Sequence, residues 1–120
     1  MTLNKADSRR VLKEFHRWQN VSNMLDVDFN ADYILSVNEP PKHLAELKDW
    51  RRVSGQQVNR VKVTVNAIDD KRLRKILIRR YLIRRKVSVQ EVMAEVELRK
   101  SRYYELLNEA IECFGVCYKD

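Results

Sequence analysis

Few residues in this chain could make or break bonds. Its two histidines are His16 and His43, and its two cysteines are Cys113 and Cys117. Neither histidine stands beside a plausible nucleophile, and no glycine-rich phosphate loop or carboxylate pair on a common face is present. The thiols lie four positions apart with no spaced histidine pair after them, which favours buried, reduced thiols over zinc ligands or a redox couple. Asp26, Asp28, Asn30 and Asp32 fall at alternate positions, as the oxygen ligands of a calcium loop do. Such a loop needs glycine where Ala31 stands and a bidentate glutamate where Val37 stands. The expectation is therefore an acidic connecting loop that balances positive charge elsewhere. No catalytic residue, metal ligand or cofactor is expected.

The chemistry that remains is electrostatic. Lys71, Arg72, Arg74, Lys75, Arg79, Arg80, Arg84, Arg85 and Lys86 occur with no acid between them, so this stretch carries +9 while the whole chain carries +7 and the remainder −2. One concentrated basic patch is the footprint of a polyanion binder. A helix opened by Asp69 or Asp70 and running to Arg85 would gather Leu73, Ile76, Leu77, Tyr81 and Ile83 on a core arc. Arg72, Lys75, Arg79 and Lys86 would then lie on another arc, flanked by Lys71, Arg74 and Arg85, within reach of phosphates. Arg80 falls on the core arc, where an unpaired guanidinium is costly, so it should have an acidic or carbonyl partner. Ile78 and Leu82 form a second apolar stripe that the N-terminal helices or a second subunit must cover.

The rest of the chain must position that patch. With 120 residues but only two glycines and two prolines, an all-α fold is expected, comprising an N-terminal helical arm (1–67) and a C-terminal three-helix helix-turn-helix domain (68–120). Asp7 can cap a first helix whose Val11, Phe15, Trp18 and Leu25 recur at helical spacing. Pro40-Pro41 breaks the chain, and Leu44, Leu47 and Trp50 resume a helical stripe. Ser54-Gly55-Gln56-Gln57 reads as a capping box that opens a further helix, although Gly55 could equally be an interior position or a bend. Val61, Val63 and Val65 alternate like a strand, yet Val58, Val61, Val65 and Ile68 fit a helical face and no second strand is available to pair with, so a helix is expected.

Ser88-Val89-Gln90-Glu91 is a capping box for a short second helix reaching Glu97, with Val87 and Val92 as its hydrophobic staple. A final helix from Lys100 turns Tyr103, Leu106, Ala110, Ile111 and Phe114 inward and should stop at Gly115. Its other face carries the candidates for reading base edges: Lys100, Ser101, Arg102, Tyr104, Glu105 and Asn108. Candidates for phosphate contact are Arg79, Arg84, Arg85, Lys86, Gln90 and Arg99.

Residues 68–114 resemble the C-terminal part of the ArpU/RinA-like phage transcriptional regulators, whose helix-turn-helix is similar to the promoter-reading fourth region of sigma factors. The residues that carry the resemblance are Ile76-Leu77 followed by Arg80-Tyr81, Ser88 with Glu91-Val92, Tyr103-Tyr104, and Glu109-Ala110-Ile111. Arg99 stands where that family places a serine or threonine cap, and Glu105 where a basic or amide residue is common. The resemblance implies activation of late phage or prophage genes, with RNA polymerase as a possible contact. The expected partners are double-stranded DNA and a second copy of the chain, joined through the N-terminal helices. A small terminase-type DNA-packaging subunit and a protein-interaction module are the alternatives, and RNA binding is disfavoured because no strand presents stacking aromatics. No apolar run approaches a membrane span and the N-terminus shows no signal-peptide core, so a cytoplasmic protein of the bacterial host, associated with the nucleoid and without a membrane partner, is expected.

Overall fold

The computed structural model describes residues 3–22, 27–35, 49–83, 88–96 and 98–118. The fold is mainly α-helical, with one two-stranded hairpin among these residues. The Pro40-Pro41 break, Leu25, Leu44, Leu47, the Trp50 side chain and Val87 of the staple lie outside the described residues.

Helix α1 (Lys5–Lys13) begins one turn earlier than the sequence suggests. Asn4, not Asp7, is its cap: the Asp7 amide donates to Asn4 Oδ1 at 2.8 Å. Glu14 interrupts the run, and α2 (Phe15–Ser22) follows directly. Leu12 and Phe15 are fully buried, whereas Val11 and Trp18 pack half-buried at the margin. The predicted single helix is thus two short ones with a shared apolar side.

The acidic segment forms a hairpin, β1 (Phe29–Asn30) against β2 (Tyr33–Ile34), antiparallel with Phe29 opposite Ile34 and Asn30 opposite Tyr33. Its two-residue turn places Ala31 at φ 61°, the left-handed region that glycine adopts without strain. The Asn66 side chain then acts as a third strand for one residue. It accepts from the Ile34 amide and donates to the Ile34 carbonyl, both at 3.0 Å.

Helix α3 (Asp49–Asn66) runs unbroken through Ser54-Gly55, so the proposed capping box is not used. A cap needs extended backbone at the serine, and here that backbone is helical with Gly55 buried inside the run. Val58, Val61 and Val65 are fully buried while Val63 is exposed, so the alternating valines follow the helical period. Helix α2 lies along α3.

Asp70 caps α4 (Lys71–Leu77) by accepting from the Arg72 amide at 2.8 Å. The basic helix does not continue to Arg85 as an α-helix. It widens into a π-helical turn, Ile78–Leu82, closed by the Ile83 amide donating to the Ile78 carbonyl at 3.1 Å, and Ile83 is extended. This turn corrects the predicted helical wheel. Ile78 and Leu82 belong to the core at 0% exposure, beside Leu73, Ile76 and Leu77. Tyr81 and Ile83, expected in the core, are only half-buried against it. Helices α1 and α2 cover the π turn, supplying the lid that the second apolar stripe requires.

Helix α5 (Val89–Glu95) is capped by Ser88, whose Oγ accepts from the Glu91 amide at 3.1 Å. Helix α6 (Lys100–Cys117) buries Tyr103, Leu106, Leu107, Ala110, Ile111 and Phe114. It passes through Gly115 rather than stopping there, and the reason is space. A Cβ at Gly115 would come within 2.5 Å of the Leu3 carbonyl oxygen and 2.6 Å of Ser8 Oγ, so this glycine admits the N-terminal segment to the helix. The Leu3 amide donates to the Gly115 carbonyl at 3.0 Å across that contact. A single core runs from Leu12 and Phe15 through α3 and α4 to Phe114 and Tyr118, shared by residues on both sides of position 67.

Candidate nucleic-acid interface

The six described residues of the basic stretch, Lys71, Arg72, Arg74, Lys75, Arg79 and Arg80, do not form one surface. Arg74 is almost wholly enclosed. Its Nη2 pairs with Asp32 Oδ2 at 3.2 Å, its Nε donates to the Asp32 carbonyl at 3.2 Å, and its Nη1 donates to the carbonyls of Ile68 and Asp69. It therefore cannot flank the helix as a phosphate contact. Instead it has the structural role predicted for Arg80, with the acidic hairpin as its partner. Arg80 is exposed, its guanidinium carbon 5.9 Å from the Tyr81 ring centroid, because the π turn shifts the phase of the helix at this point.

Arg79 is also reassigned from the phosphate candidates. It is half-buried, 2.8 Å from Glu95 Oε2 but out of line for a hydrogen bond, with its guanidinium carbon 4.8 Å from the Phe29 ring centroid. Those contacts tie the π turn to α5 and the hairpin. Arg84, Arg85 and Lys86 lie outside the described residues. Lys71 and Arg72 are exposed and Lys75 half-exposed, and together they line a depression shared with Ala31, Asp32, Glu95 and Val96.

The first two turns of α6 present an open polar face. Lys100, Ser101, Arg102, Tyr104 and Glu105 are exposed there, as are Arg99 and Gln90 nearby. Arg99 occupies the N-cap with extended backbone and makes no side-chain cap hydrogen bond, and Ser101 sits inside the helix rather than capping a shortened one. Arg102 Nη1 pairs with Glu105 Oε2 at 2.9 Å, both side chains more than half exposed. Such a pair is worth about 0–1 kcal/mol, so Arg102 can leave it at little cost. Asn108 differs from its neighbours: it is half-buried and accepts from Arg9 Nη2 at 3.0 Å. That bond, 99 residues apart in sequence, had no local signal and joins α1 to the edge of the surface.

Tyr103 anchors the inner side of the same turns. It is fully buried, its hydroxyl has no hydrogen-bond partner among the described residues, and its ring meets Tyr104 edge-on at 5.2 Å. Burial pushes its pKa above the ordinary tyrosine value, against the pull of the Arg80 guanidinium and with the neighbouring Tyr104 and Tyr81 adding to the rise. A raised pKa in the fold means that the neutral phenol contributes stability below about pH 10, and that this is lost as pH climbs through the folded value. Chemical denaturation across alkaline pH should therefore show wild-type stability falling above about pH 10. Tyr103→Phe should fall less steeply while costing little at neutral pH, since no hydrogen bond is lost. An identical alkaline slope in both proteins would remove Tyr103 as the cause.

The thiols are at the far end of α6. Both are free, and burial together with Glu109, Cys117, Glu112 and Asp70 pushes the Cys113 pKa up, which makes it a poor nucleophile. No described helix is long and apolar enough to cross a membrane. In comparisons with known proteins, the chain matches no family model, no curated protein and no solved structure.

Proposed function

We propose that this protein binds double-stranded DNA sequence-specifically and regulates transcription, as an activator of phage or prophage late genes of the ArpU/RinA-like kind. The observation that carries the reading is the composition of the open face of α6. Lys100, Ser101, Arg102 and Tyr104 are exposed side by side on its first turns, directly after the short Ser88-capped helix α5. The opposite side of the same turns is fixed in the core by Tyr103, Leu106 and Leu107. A recognition helix needs this combination of a rigid inner face and donors at its N-terminal end. Exposed Lys71, Arg72, Arg80, Gln90 and Arg99 supply grip on phosphates, a role proposed for Arg84, Arg85 and Lys86 as well. RNA polymerase is the second partner in this reading, and the site of action is the bacterial cytoplasm.

Arg102 provides the test. On a DNA fragment selected by the protein itself, Arg102→Ala should weaken binding by about 1–3 kcal/mol and leave binding to random duplex nearly unchanged. Equal loss on both would make Arg102 a phosphate contact, and no loss on either would take α6 out of the interface.

A further inference from the structure

The second half of α6 lines a groove together with the segment from Ala67 to Leu73, and DNA binding does not use it. The groove measures about 480 Å³ and its floor is apolar, formed by Ile68, Leu73, Cys113, Val116 and Cys117, with Val116 67% exposed. Its rim is acidic. Asp69 and Asp70 stand on one side, Glu109 and Glu112 on the other, all four exposed, and no lysine or arginine lines the groove among the described residues. The cations next in sequence, Lys71 and Arg72, line the depression beside the hairpin instead. None of the four carboxylates pairs with a cation among the described residues, although Asp70 accepts from the Arg72 amide.

These carboxylates act together on what lies between them. Burial first, then Glu109, Cys117, Glu112 and Asp70, hold the Cys113 thiol above its ordinary pKa, so three of the four rim acids bear on one point of the floor. The field in the groove is thus opposite in sign to that of the whole chain, which carries +7. Duplex DNA is repelled from it, and a cationic partner is drawn to it in preference to the rest of the surface. We infer that the groove docks a basic amphipathic helix of a partner protein, with apolar side chains on its floor and lysine or arginine against its rim. The wall that α6 supplies, from Glu109 to Val116, is about 10 Å long at 1.5 Å per residue, the length of two helical turns. Two apolar side chains one turn apart fill it, as in other helix-in-groove contacts. The floor supplies burial, and the rim charges steer the partner and select its sign. Arg102, on the base-reading face, lies about 16 Å away along α6, so DNA and the partner can occupy this helix together.

The test uses the full chain without DNA, so its outcome is separate from that of the DNA reading. The probe is an end-capped synthetic peptide of about four helical turns, with leucine along one face and lysine on the others. Calorimetry should show one-to-one binding, and saturating peptide should slow alkylation of Cys113 and Cys117 by iodoacetamide. Glu109→Lys combined with Glu112→Lys should weaken binding about tenfold or more, with unchanged helical circular dichroism. The same peptide with glutamate in place of lysine, or alanine in place of leucine, should also bind about tenfold more weakly or worse. No binding of the leucine–lysine peptide, binding that leaves the thiols equally reactive, or binding that survives the double substitution overturns the inference. Equal binding of the glutamate peptide overturns the selection by charge, and equal binding of the alanine peptide overturns the role of the apolar floor. A wild type that dimerises in sedimentation equilibrium, with the double substitution abolishing the dimer, gives the groove to a second copy and overturns its assignment to a different protein.

Discussion

Replacing Arg74 with alanine should cost about 3–5 kcal/mol of stability, the range seen when one partner of an enclosed ion pair is removed. The size follows from what is left behind. Asp32, 14% exposed, would be left without its counter-ion, and the carbonyls of Asp32, Ile68 and Asp69 would lose a common donor. The hairpin would lose its tie to α4 at the same time. Arg74→Lys should recover only part of the loss, because an ammonium cannot serve a carboxylate and three carbonyls in the fork geometry of a guanidinium. Urea denaturation of both variants checks this, with Asp32→Ala and the double variant closing a cycle. A loss for Arg74→Ala of less than about 1 kcal/mol, the worth of an exposed pair, would contradict the structural role.

Leu82→Ala should cost about 2–5 kcal/mol, as large-to-small changes at fully enclosed sites do. A helical wheel gives the opposite expectation, since Leu82 would lie on a stripe away from the core. The π turn brings Leu82 and Ile78 to 0% exposure, beneath α1 and α2. Removing the side chain should therefore loosen the N-terminal helices from the basic segment, and hydrogen exchange should accelerate in α1 and α2 as well as in the π turn. Near-neutral behaviour in denaturation, with exchange unchanged in α1, would restore the straight-helix picture.

Those two residues show where reading the sequence succeeds and fails. Local signals carried in part: Ser88 and, of the pair Asp69 and Asp70, Asp70 cap the expected helices, because a cap involves only the next three residues, whereas Asn4 takes the place expected of Asp7 and Ser54 lies inside α3. The inward face of α6, from Tyr103 to Phe114, followed from periodicity alone. The roles of Arg74 and Arg80 were exchanged because the π turn changes the phase of the helix, and packing of distant helices accompanies it. The partners that define Arg74, Asn66 and Asn108 are Asp32, Ile34 and Arg9, all far away in sequence, and no local pattern announces such pairs. Gly115 carries an ambiguous signal, because glycine serves both for helix termination and for close approach, and only the neighbouring Leu3 carbonyl distinguishes the two.

For the candidate interface, the exposure of Lys100, Ser101, Arg102 and Tyr104 was legible from the same 3.6-residue period that buries Tyr103 and Leu106. Charge counting alone was less informative. It placed Arg74 and Arg79 with the phosphate contacts, whereas both are held by acids, Asp32 and Glu95, that lie outside the basic run.

The proposed binding of duplex DNA through α6 and the remaining basic surface is tested most directly by its salt dependence. Binding of the purified protein to genomic fragments it selects, and to random duplex of equal length, should be titrated over a range of salt concentrations. Log affinity should fall linearly with log salt by about 0.9 per phosphate contacted, with the selected fragment held at least about a thousandfold tighter than random sequence. No salt-dependent binding to any duplex would contradict it.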